Sequence, residues 1–188
     1  MSSESTLPFV DTYYILGEAL NIDLTDFVNH LYALIIPFST MSGIESPAAG
    51  IRYSRGQKGK NFTGHSPADM LFRTLNLIFT SRTSSKHPAW RTGAFAKRLL
   101  SAALHFPPTT TKRTLVFVKS LLSKDAKLEA LLSTEDTIAN GIYRPDVDDP
   151  QLSNPFAATL WELQILSNTY LDQDVRKLAQ ELIHYSRE

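Results

Sequence analysis

Apolar residues recur along much of this chain with the period of an α-helix. Phe27, Leu31 and Leu34 are spaced i, i+4 and i+7, so they predict one buried helix face. Segments 71–79 and 156–166 carry apolar side chains on more than one face, and helices of that kind must be covered on several sides. No comparable alternating pattern predicts strands. The pattern therefore favours an all-α fold.

Proline and capping residues mark where these helices begin. Ser66-Pro67-Ala68-Asp69 places a hydroxyl at the N-cap, proline at the first helical position and a carboxylate two residues later. Proline fits there because the first N–H groups of a helix have no intrahelical partner. His87-Pro88, Pro107-Pro108 and Asn154-Pro155 repeat the proline signal. The predicted helices cover about 9–20, a segment from a cap at Asp23 or Thr25 to Phe38, 67–81, 88–105, 108–123, a short turn at 125–132, 155–169, and a last helix from a cap at Asp172 to near Tyr185.

Helices of this length with short links predict an α-solenoid of HEAT-like or armadillo-like stacked helix pairs. The chain of 188 residues has the length of one domain, so residues 1–188 are predicted to form a single helical-repeat domain, the C-terminal part of a larger protein. Residues 41–65 are predicted to be a long loop, because they are rich in glycine and lack apolar periodicity. No clean sequence repeat is visible, so an irregular helical bundle is the alternative.

The neutral net charge conceals a strong partition along the chain. Residues 1–45 contain six Asp or Glu and no Lys or Arg, whereas residues 46–124 contain fourteen Lys or Arg and one acid, Asp69. Residues 125–188 return to an excess of acids, twelve against five bases. A long stretch of one sign needs a counter-charge, either from a ligand or from the molecule itself.

The basic stretch is the candidate for RNA binding. Its cations could follow a phosphate backbone, and an aromatic ring among them could stack on a base. Two alternatives remain open: the acidic ends of the chain neutralise these cations internally, or an acidic protein covers them. The candidate RNA-binding residues are Arg52, Tyr53, Arg55, Lys58, Lys60, Arg73, Arg82, Lys86, Arg91, Lys97, Arg98, Lys112, Arg113 and Lys119.

Motifs for catalysis and for metal binding are weak. Cysteine is absent, which excludes disulfides and thiolate metal sites, and the five histidines show no metal-binding spacing. The glycine-rich segment 50–60 fails the phosphate-loop spacing, and Pro150 interrupts a calcium-like acidic run at 146–149. We expect no enzyme activity, no cofactor and no metal. The apolar runs are too short to span a bilayer, and no secretory signal is visible, so an intracellular location is expected.

Residues 141–168, here called the signature segment, read GIYRPDVDDPQLSNPFAATLWELQILSN. This segment resembles the C-terminal signature of the CCAAT-binding-factor domain of nucleolar ribosome-assembly proteins, and within that superfamily the nucleolar complex-associated protein 3 family. Segments 17–36, 94–104 and 115–132 support the resemblance. Many relatives carry a histidine-rich run after the LWEL helix, but residues 168–172 here read NTYLD, so no role of those histidines carries over.

The resemblance implies a non-catalytic scaffold that acts in the nucleolus and nucleus during maturation of the large ribosomal subunit. The implied partners are nucleolar complex protein 2, pre-ribosomal RNA of the large subunit and other pre-ribosomal assembly factors. No contact with a membrane is expected. The family is also linked to the loading of replication factors on chromatin. A protein-interaction module without RNA contact is the alternative function.

The signature segment also has a purely physical interpretation. Asn154 and Pro155 are predicted to start its helix. Leu160, Trp161 and Leu163 are predicted to be buried in the core, while Glu162 is either solvent-facing or hydrogen-bonded to a neighbouring helix end or arginine.

Overall fold

The computed structural model describes residues 24–47, 64–80, 87–133 and 140–186. Across these ranges the regular structure is helical, without a strand, which confirms the all-α prediction. No helix in the described ranges is long and apolar enough to cross a membrane. The α-helices are α1 (Thr25–Ser39), α2 (Pro67–Thr80), α3 (Ala89–Ala103), α4 (Pro108–Lys124), α5 (Glu162–Thr169) and α6 (Gln173–Ile183), with 3-10 helices at Ala126–Leu131 and Pro155–Ala157.

Helix α3 lies at the centre of the described structure. It contacts α1, α4, α5 and both 3-10 helices, and every residue from Thr92 to Leu100 is buried. Small residues permit this close packing: a Cβ atom on Gly93 would lie only 3.3 Å from Pro155 Cγ. The outer contacts are made by α6, which packs on α4 and α5, and by α2, which packs on α4.

An aromatic cluster fills the core between α2, α3 and α4. The Phe79 ring centroid lies 5.1 Å from that of Phe95 and 6.0 Å from that of Phe117. The Phe72 ring meets Phe117 at 6.4 Å in an edge-to-face arrangement. Rings in such geometries add about 0.5–1.5 kcal/mol per pair beyond their buried area. These contacts fix the positions of α2 and α4 relative to α3.

Two predicted helix caps are confirmed. The Ser66 hydroxyl accepts the Asp69 N–H at 3.1 Å, and the Asp69 carboxylate in turn accepts both the Ser66 N–H at 3.2 Å and the Ser66 hydroxyl at 2.9 Å. This reciprocal pair is a capping box with aspartate in place of the usual glutamate. At α6, the Asp172 carboxylate accepts the N–H groups of Asp174 and Val175. The N-terminal cap of α1 is different, because its N-cap is Leu24, without a side-chain hydrogen bond, and not Thr25. The alternative cap, Asp23, lies outside the described residues.

The buried face of α1 differs from the prediction. Val28, Tyr32 and Ile35 share the inner face with Leu31, whereas Phe27 and Leu34 are 38% and 48% exposed. The Tyr32 ring packs 5.2 Å from the Phe95 ring of α3. Helix α1 is apolar on several sides, so two helical registers fit its sequence equally well, and contact with α3 decides between them. The other predicted helix of the N-terminal part, 9–20, lies outside the described residues.

The helix predicted over 155–169 is also divided in the structure. Asn154, with a left-handed φ of 49°, and Pro155 start a single 3-10 turn, and α5 begins only at Glu162. The physical reason lies at Leu160, whose N–H donates to the Leu131 carbonyl at 2.7 Å instead of to its own helix. Proline at the first position is thus compatible with a short turn as well as with a long helix.

Glu45, in the predicted 41–65 loop, has a defined structural role. Glu45 Oε1 accepts the Thr110 N–H at 2.8 Å and the Thr110 hydroxyl at 2.7 Å, in the first turn of α4. That helix begins with Pro107-Pro108 and has no side-chain cap of its own at the N-cap residue. A carboxylate at a helix N-terminus satisfies free N–H groups and complements the helix dipole.

Candidate functional site

The signature segment folds against the central helix as a loop, a 3-10 turn and nearly all of α5. Within the loop, the Arg144 N–H donates to the Ser153 carbonyl at 2.9 Å, and the Asn154 side chain donates to the Asn140 carbonyl at 3.1 Å. Gly141 has a φ of +108°, a conformation that favours glycine. These contacts bring residues 140–144 alongside 153–154 and place the loop next to the polar side of α3.

A fully buried ion pair joins α3 to α5. Lys97 Nζ lies 2.9 Å from Glu162 Oε1 and 2.8 Å from Oε2, and both side chains have 0% exposure. Lys97 also donates to the Thr159 carbonyl at 2.6 Å, and the Ser101 hydroxyl donates to Glu162 Oε1 at 2.8 Å. Burying two charges is costly unless they are paired and hydrogen-bonded, as they are here. Glu162 is therefore a core residue, which answers the question the sequence left open.

Two aromatic rings flank the Lys97 ammonium group. Its Nζ lies 5.1 Å from the Tyr143 ring centroid and 5.3 Å from the Trp161 ring centroid, both within the range of cation–π attraction. Burial lowers the pKa of Lys97, and the Glu162 carboxylate opposes that change. Burial, followed by the neighbouring Tyr32 and Glu162, raises the pKa of Tyr143. Lys97, Glu162 and Tyr143 thus form a dense polar cluster inside an apolar fold.

Arg98, the next residue on α3, makes a second link to the signature segment. It is buried, donates to the Val147 carbonyl at 2.9 Å and forms an ion pair with Asp148. Its guanidinium also stacks 4.3 Å from the centroid of the Tyr32 ring of α1. Arg98 therefore ties the 140–153 loop and α1 to the same helix.

The prediction that Lys97 and Arg98 contact RNA is wrong for the folded chain. Lys97 has no exposed surface and Arg98 is 5% exposed, and both are engaged by carboxylates and carbonyls of the signature segment. A phosphate could reach them only if the core opened. For these two residues the internal neutralisation considered as an alternative is what the structure shows.

Three further candidates are paired with carboxylates at the surface. Lys112 lies 3.0 Å from both Asp172 and Asp174, and Lys119 lies 3.1 Å from Glu181, so both bridge α4 to α6. Arg113 lies 2.7 Å from Asp69 in the capping box of α2. These cations are partly exposed, so their RNA contact stays a prediction, but each has a carboxylate partner that a phosphate would have to displace.

The remaining basic candidates are less defined. Arg73 is half-buried on α2, and Arg91 is half-buried with its guanidinium 5.2 Å from the Trp90 ring centroid. Their role in RNA binding stays a prediction. Seven candidates lie outside the described residues: Arg52, Tyr53, Arg55, Lys58, Lys60, Arg82 and Lys86.

The predicted core of the signature segment is correct for two residues and wrong for one. Leu160 and Leu163 are 4% and 1% exposed, but Trp161 is 47% exposed. The reason is local: α5 directs Glu162 and Leu163 inward, and Trp161 precedes them at the edge of the helix. The sequence analysis did not single out Tyr143, whose ring contacts the Lys97 ammonium group in the structure. The sequence carried only a weak signal for Lys97, namely its position within the apolar run AFAKRLLSAAL, because lysine is almost never fully buried unless it is paired.

The described part of the fold is a set of packed helices. Its charged pairs and polar contacts join helices to one another, and the described residues hold no group of three His, Asp or Glu that could bind a metal. The geometry thus defines a class, an all-α fold whose buried ion pair joins its central helix to the signature segment.

Comparison with known proteins specifies the family. The model of the CBF/Mak21 family matches residues 9–179, and the chain belongs to that family. It is similar to nucleolar complex-associated protein 3 of Schizosaccharomyces pombe, with 33% identity covering 87% of this chain and 22% of the relative. The corresponding protein of Saccharomyces cerevisiae is 31% identical over 80% of this chain and 23% of its own length. Nucleolar complex protein 3 of Drosophila melanogaster is 32% identical over 89% and 18%, respectively. The chain thus spans about a fifth of the length of these relatives.

Proposed function

We propose that this chain is a non-catalytic scaffold segment of a nucleolar assembly factor for the large ribosomal subunit. The observation that carries the proposal is the family match over residues 9–179, together with relatives named as nucleolar complex proteins. The buried ion pair supports the proposal, because Lys97 and Glu162 join two helices and neither side chain is exposed to solvent. The location that follows is the nucleolus and nucleus.

The scaffold is proposed to be a HEAT-like or armadillo-like solenoid. Support comes from consecutive helices that pack on each other, since α3 contacts α4 and α5 contacts α6. The α4–α6 contact then stacks one such pair on the next, with Lys112 and Lys119 bridging the two helices. Stacked pairs of this kind present extended surfaces suited to binding partners. A single domain over residues 1–188 stays a prediction.

The proposed partners are proteins of the nucleolar assembly machinery, nucleolar complex protein 2 among them. Proposed contact with pre-ribosomal RNA is concentrated on Arg52, Arg55, Lys58 and Lys60. The acids that flank this segment in the sequence are already engaged, because Glu45 binds the first turn of α4 and Asp69 binds Arg113. No other Asp or Glu occurs between them in the sequence. The replication role implied by the resemblance stays a prediction.

The RNA contact is tested with two matched sets of substitutions. A structured RNA from the large subunit is titrated against the chain at several salt concentrations. Replacing Arg52, Arg55, Lys58 and Lys60 by alanine is expected to weaken binding and to reduce the salt slope by about one unit per lost phosphate contact. Replacing Lys112, Arg113 and Lys119 is the control, and it should change affinity little, because those cations are paired. Equal losses in both sets would contradict the concentration of RNA contact on Arg52, Arg55, Lys58 and Lys60, whereas weak, salt-insensitive binding would favour a protein-only scaffold.

The cellular role is tested by depleting the whole protein and measuring ribosomal subunits on sucrose gradients. The proposal predicts fewer free large subunits and an accumulation of their precursor RNA, with small subunits unaffected. Unchanged large-subunit production after depletion would refute it.

A further inference from the structure

Helix α1 carries apolar side chains outside the face that packs on α3. Leu34 is 48% exposed, Pro37 is exposed, and Phe38 is half-buried. Their i, i+3 and i+4 spacing places these three side chains next to one another on one side of the helix. The exposed His30 borders them four residues before Leu34, and its ring binds the Asp26 carbonyl at 2.6 Å. We call Leu34, Pro37 and Phe38 the outer face of α1.

The last helix of the described structure, α6, meets solvent in a different way. Its exposed residues Gln173, Lys177 and Gln180 share one side of the helix and are polar, whereas Val175 and Ala179 are buried on the other side. Terminal helices of a stacked array need such a polar outer side to remain soluble. The outer face of α1 is apolar instead, so we expect another element to cover it.

The chain immediately before α1 has the sequence of a matching helix. Residues 1–23 lie outside the described residues and lead directly into Leu24, the N-cap of α1. The helix predicted over 9–20 has apolar residues spaced i, i+4, i+7 and i+11, which places them on one side. They are Phe9, Tyr13, Leu16 and Leu20. The acids Asp11 and Glu18 fall on the opposite side, so the predicted helix is amphipathic.

The connection between this predicted helix and α1 determines how the two can meet. Only residues 21–24 separate them, and links this short join neighbouring antiparallel helices. At a rise of about 1.5 Å per residue the predicted helix is about 18 Å long, and Phe38 lies about 20 Å along α1 from its start. The far end of the predicted helix, at Phe9, therefore reaches the level of the outer face of α1.

We propose that residues 9–20 of this same chain pack on the outer face of α1 as an antiparallel helix, with Phe9 and Tyr13 over that face. A tethered segment has a high effective concentration at a surface beside its own attachment point. Helix α1 contains no Lys or Arg, so its outer face offers no cation to a polyanion such as RNA. The inference rests on the proposed function in one respect, because the two helices make one further pair of the proposed solenoid.

Engineered cysteines in the 188-residue chain test the proposal, because the chain has none of its own. Leu34→Cys is combined in turn with Phe9→Cys, Tyr13→Cys or Leu16→Cys, and each variant is oxidised. A disulfide needs Cα atoms within about 7 Å, so at least one pair should form an intramolecular bond, seen as a faster-migrating monomer on a non-reducing gel. The matched controls combine Leu34→Cys with Asp11→Cys or Glu18→Cys. They should cross-link at least about tenfold more slowly, because those positions lie on the opposite side of the predicted helix.

A second measurement needs no cross-link. Tyr13→Ala and Leu34→Ala each truncate one side of the proposed contact, so each should lower the midpoint of urea unfolding. The double variant should lower the midpoint by less than the sum of the two single shifts, because both remove the same contact. Val116→Ala, at an exposed position on α4, is the matched control, and its shift should simply add to that of Tyr13→Ala. Circular dichroism establishes that each variant is folded.

Four results would overturn the inference. Three are equal cross-linking at the apolar and the acidic positions, no intramolecular cross-link in any folded variant, and additive shifts for Tyr13→Ala with Leu34→Ala. The fourth is a cross-linked dimer in place of the monomer, since a second copy would then be the occupant. None of these outcomes touches the RNA titration or the subunit profile after depletion, so failure here is distinguishable from failure of the proposed function.

Discussion

Removal of the Glu162 carboxylate is the most informative perturbation of this fold. Glu162 receives three hydrogen bonds, two from Lys97 and one from Ser101, and it has no exposed surface. In Glu162→Ala the Lys97 ammonium would remain buried, with only the Thr159 carbonyl as an acceptor. An uncompensated buried charge costs about 3–5 kcal/mol, so we expect a loss of that size in the free energy of unfolding.

Companion variants separate the charge effect from the loss of packing. Glu162→Gln keeps the side-chain volume and a carbonyl acceptor, so its loss should be smaller, about 1–3 kcal/mol. Lys97→Met leaves the carboxylate with the Ser101 hydroxyl alone and should cost about 3–5 kcal/mol. The double variant Lys97→Met with Glu162→Leu contains neither charge, and it should lie within about 2 kcal/mol of the wild type.

Urea unfolding followed by far-ultraviolet circular dichroism measures these differences at pH 7. Each variant should shift the midpoint with an unchanged denaturant slope, because the surface exposed on unfolding is nearly the same. With the single variant Glu162→Leu added to Lys97→Met and the double variant, the double-mutant cycle should give a coupling free energy of several kcal/mol. Single losses below about 1 kcal/mol that simply add would refute the reasoning, since they would mean that the pair is solvated.

Three smaller predictions follow from the helix ends and the titrating groups. Ser66→Ala should lower the free energy of unfolding in urea by about 1 kcal/mol. The Ser66 hydroxyl and Arg113 lower the pKa of Asp69 in the folded chain. The wild type should therefore lose stability as pH falls below the ordinary value of 3.8, because the unfolded chain then binds a proton that the folded chain does not. Because the pKa of Tyr143 is raised above its ordinary value of 10.0, stability should fall as pH rises past that value, and Tyr143→Phe should remove this component from the alkaline stability profile. Lys119→Ala should change stability by less than about 0.5 kcal/mol in thermal unfolding, because its pair with Glu181 is exposed; a loss above 1 kcal/mol would contradict that.

Helix positions were predictable from the sequence because their signals are local. The predicted segments 67–81 and 108–123 correspond to Pro67–Thr80 and Pro108–Lys124 in the structure. The caps at Ser66 and Asp172 follow from the chemistry of one turn of chain, and no distant contact competes with them. Local rules fail where a distant contact intervenes, as at Leu160, whose N–H pairs with Leu131 and delays the start of α5.

The choice of buried face was not predictable for α1. Phe27, Leu31 and Leu34 form one periodic set, and Val28, Leu31 and Ile35 form another set of equal quality. Only the packing of Tyr32 on Phe95 distinguishes them, and that contact spans more than sixty residues of chain. The exposure of Trp161 has a local origin instead, because Trp161 is the N-cap residue of α5, and hydrophobicity alone does not state which residue of a short helix lies at its edge.

The charge partition illustrates how sequence separation hides internal pairing. Lys97 meets Glu162 and Arg98 meets Asp148 across 65 and 50 residues, and Lys112 and Lys119 meet acids 62 residues further on. Each pair joins the basic middle of the chain to its acidic C-terminal part. An acid-free stretch is therefore as consistent with folding as with ligand binding, and pairing distance in the structure distinguishes the two. Arg52, Arg55, Lys58 and Lys60 lie outside the described residues, so for them the RNA titration has to distinguish internal pairing from phosphate contact.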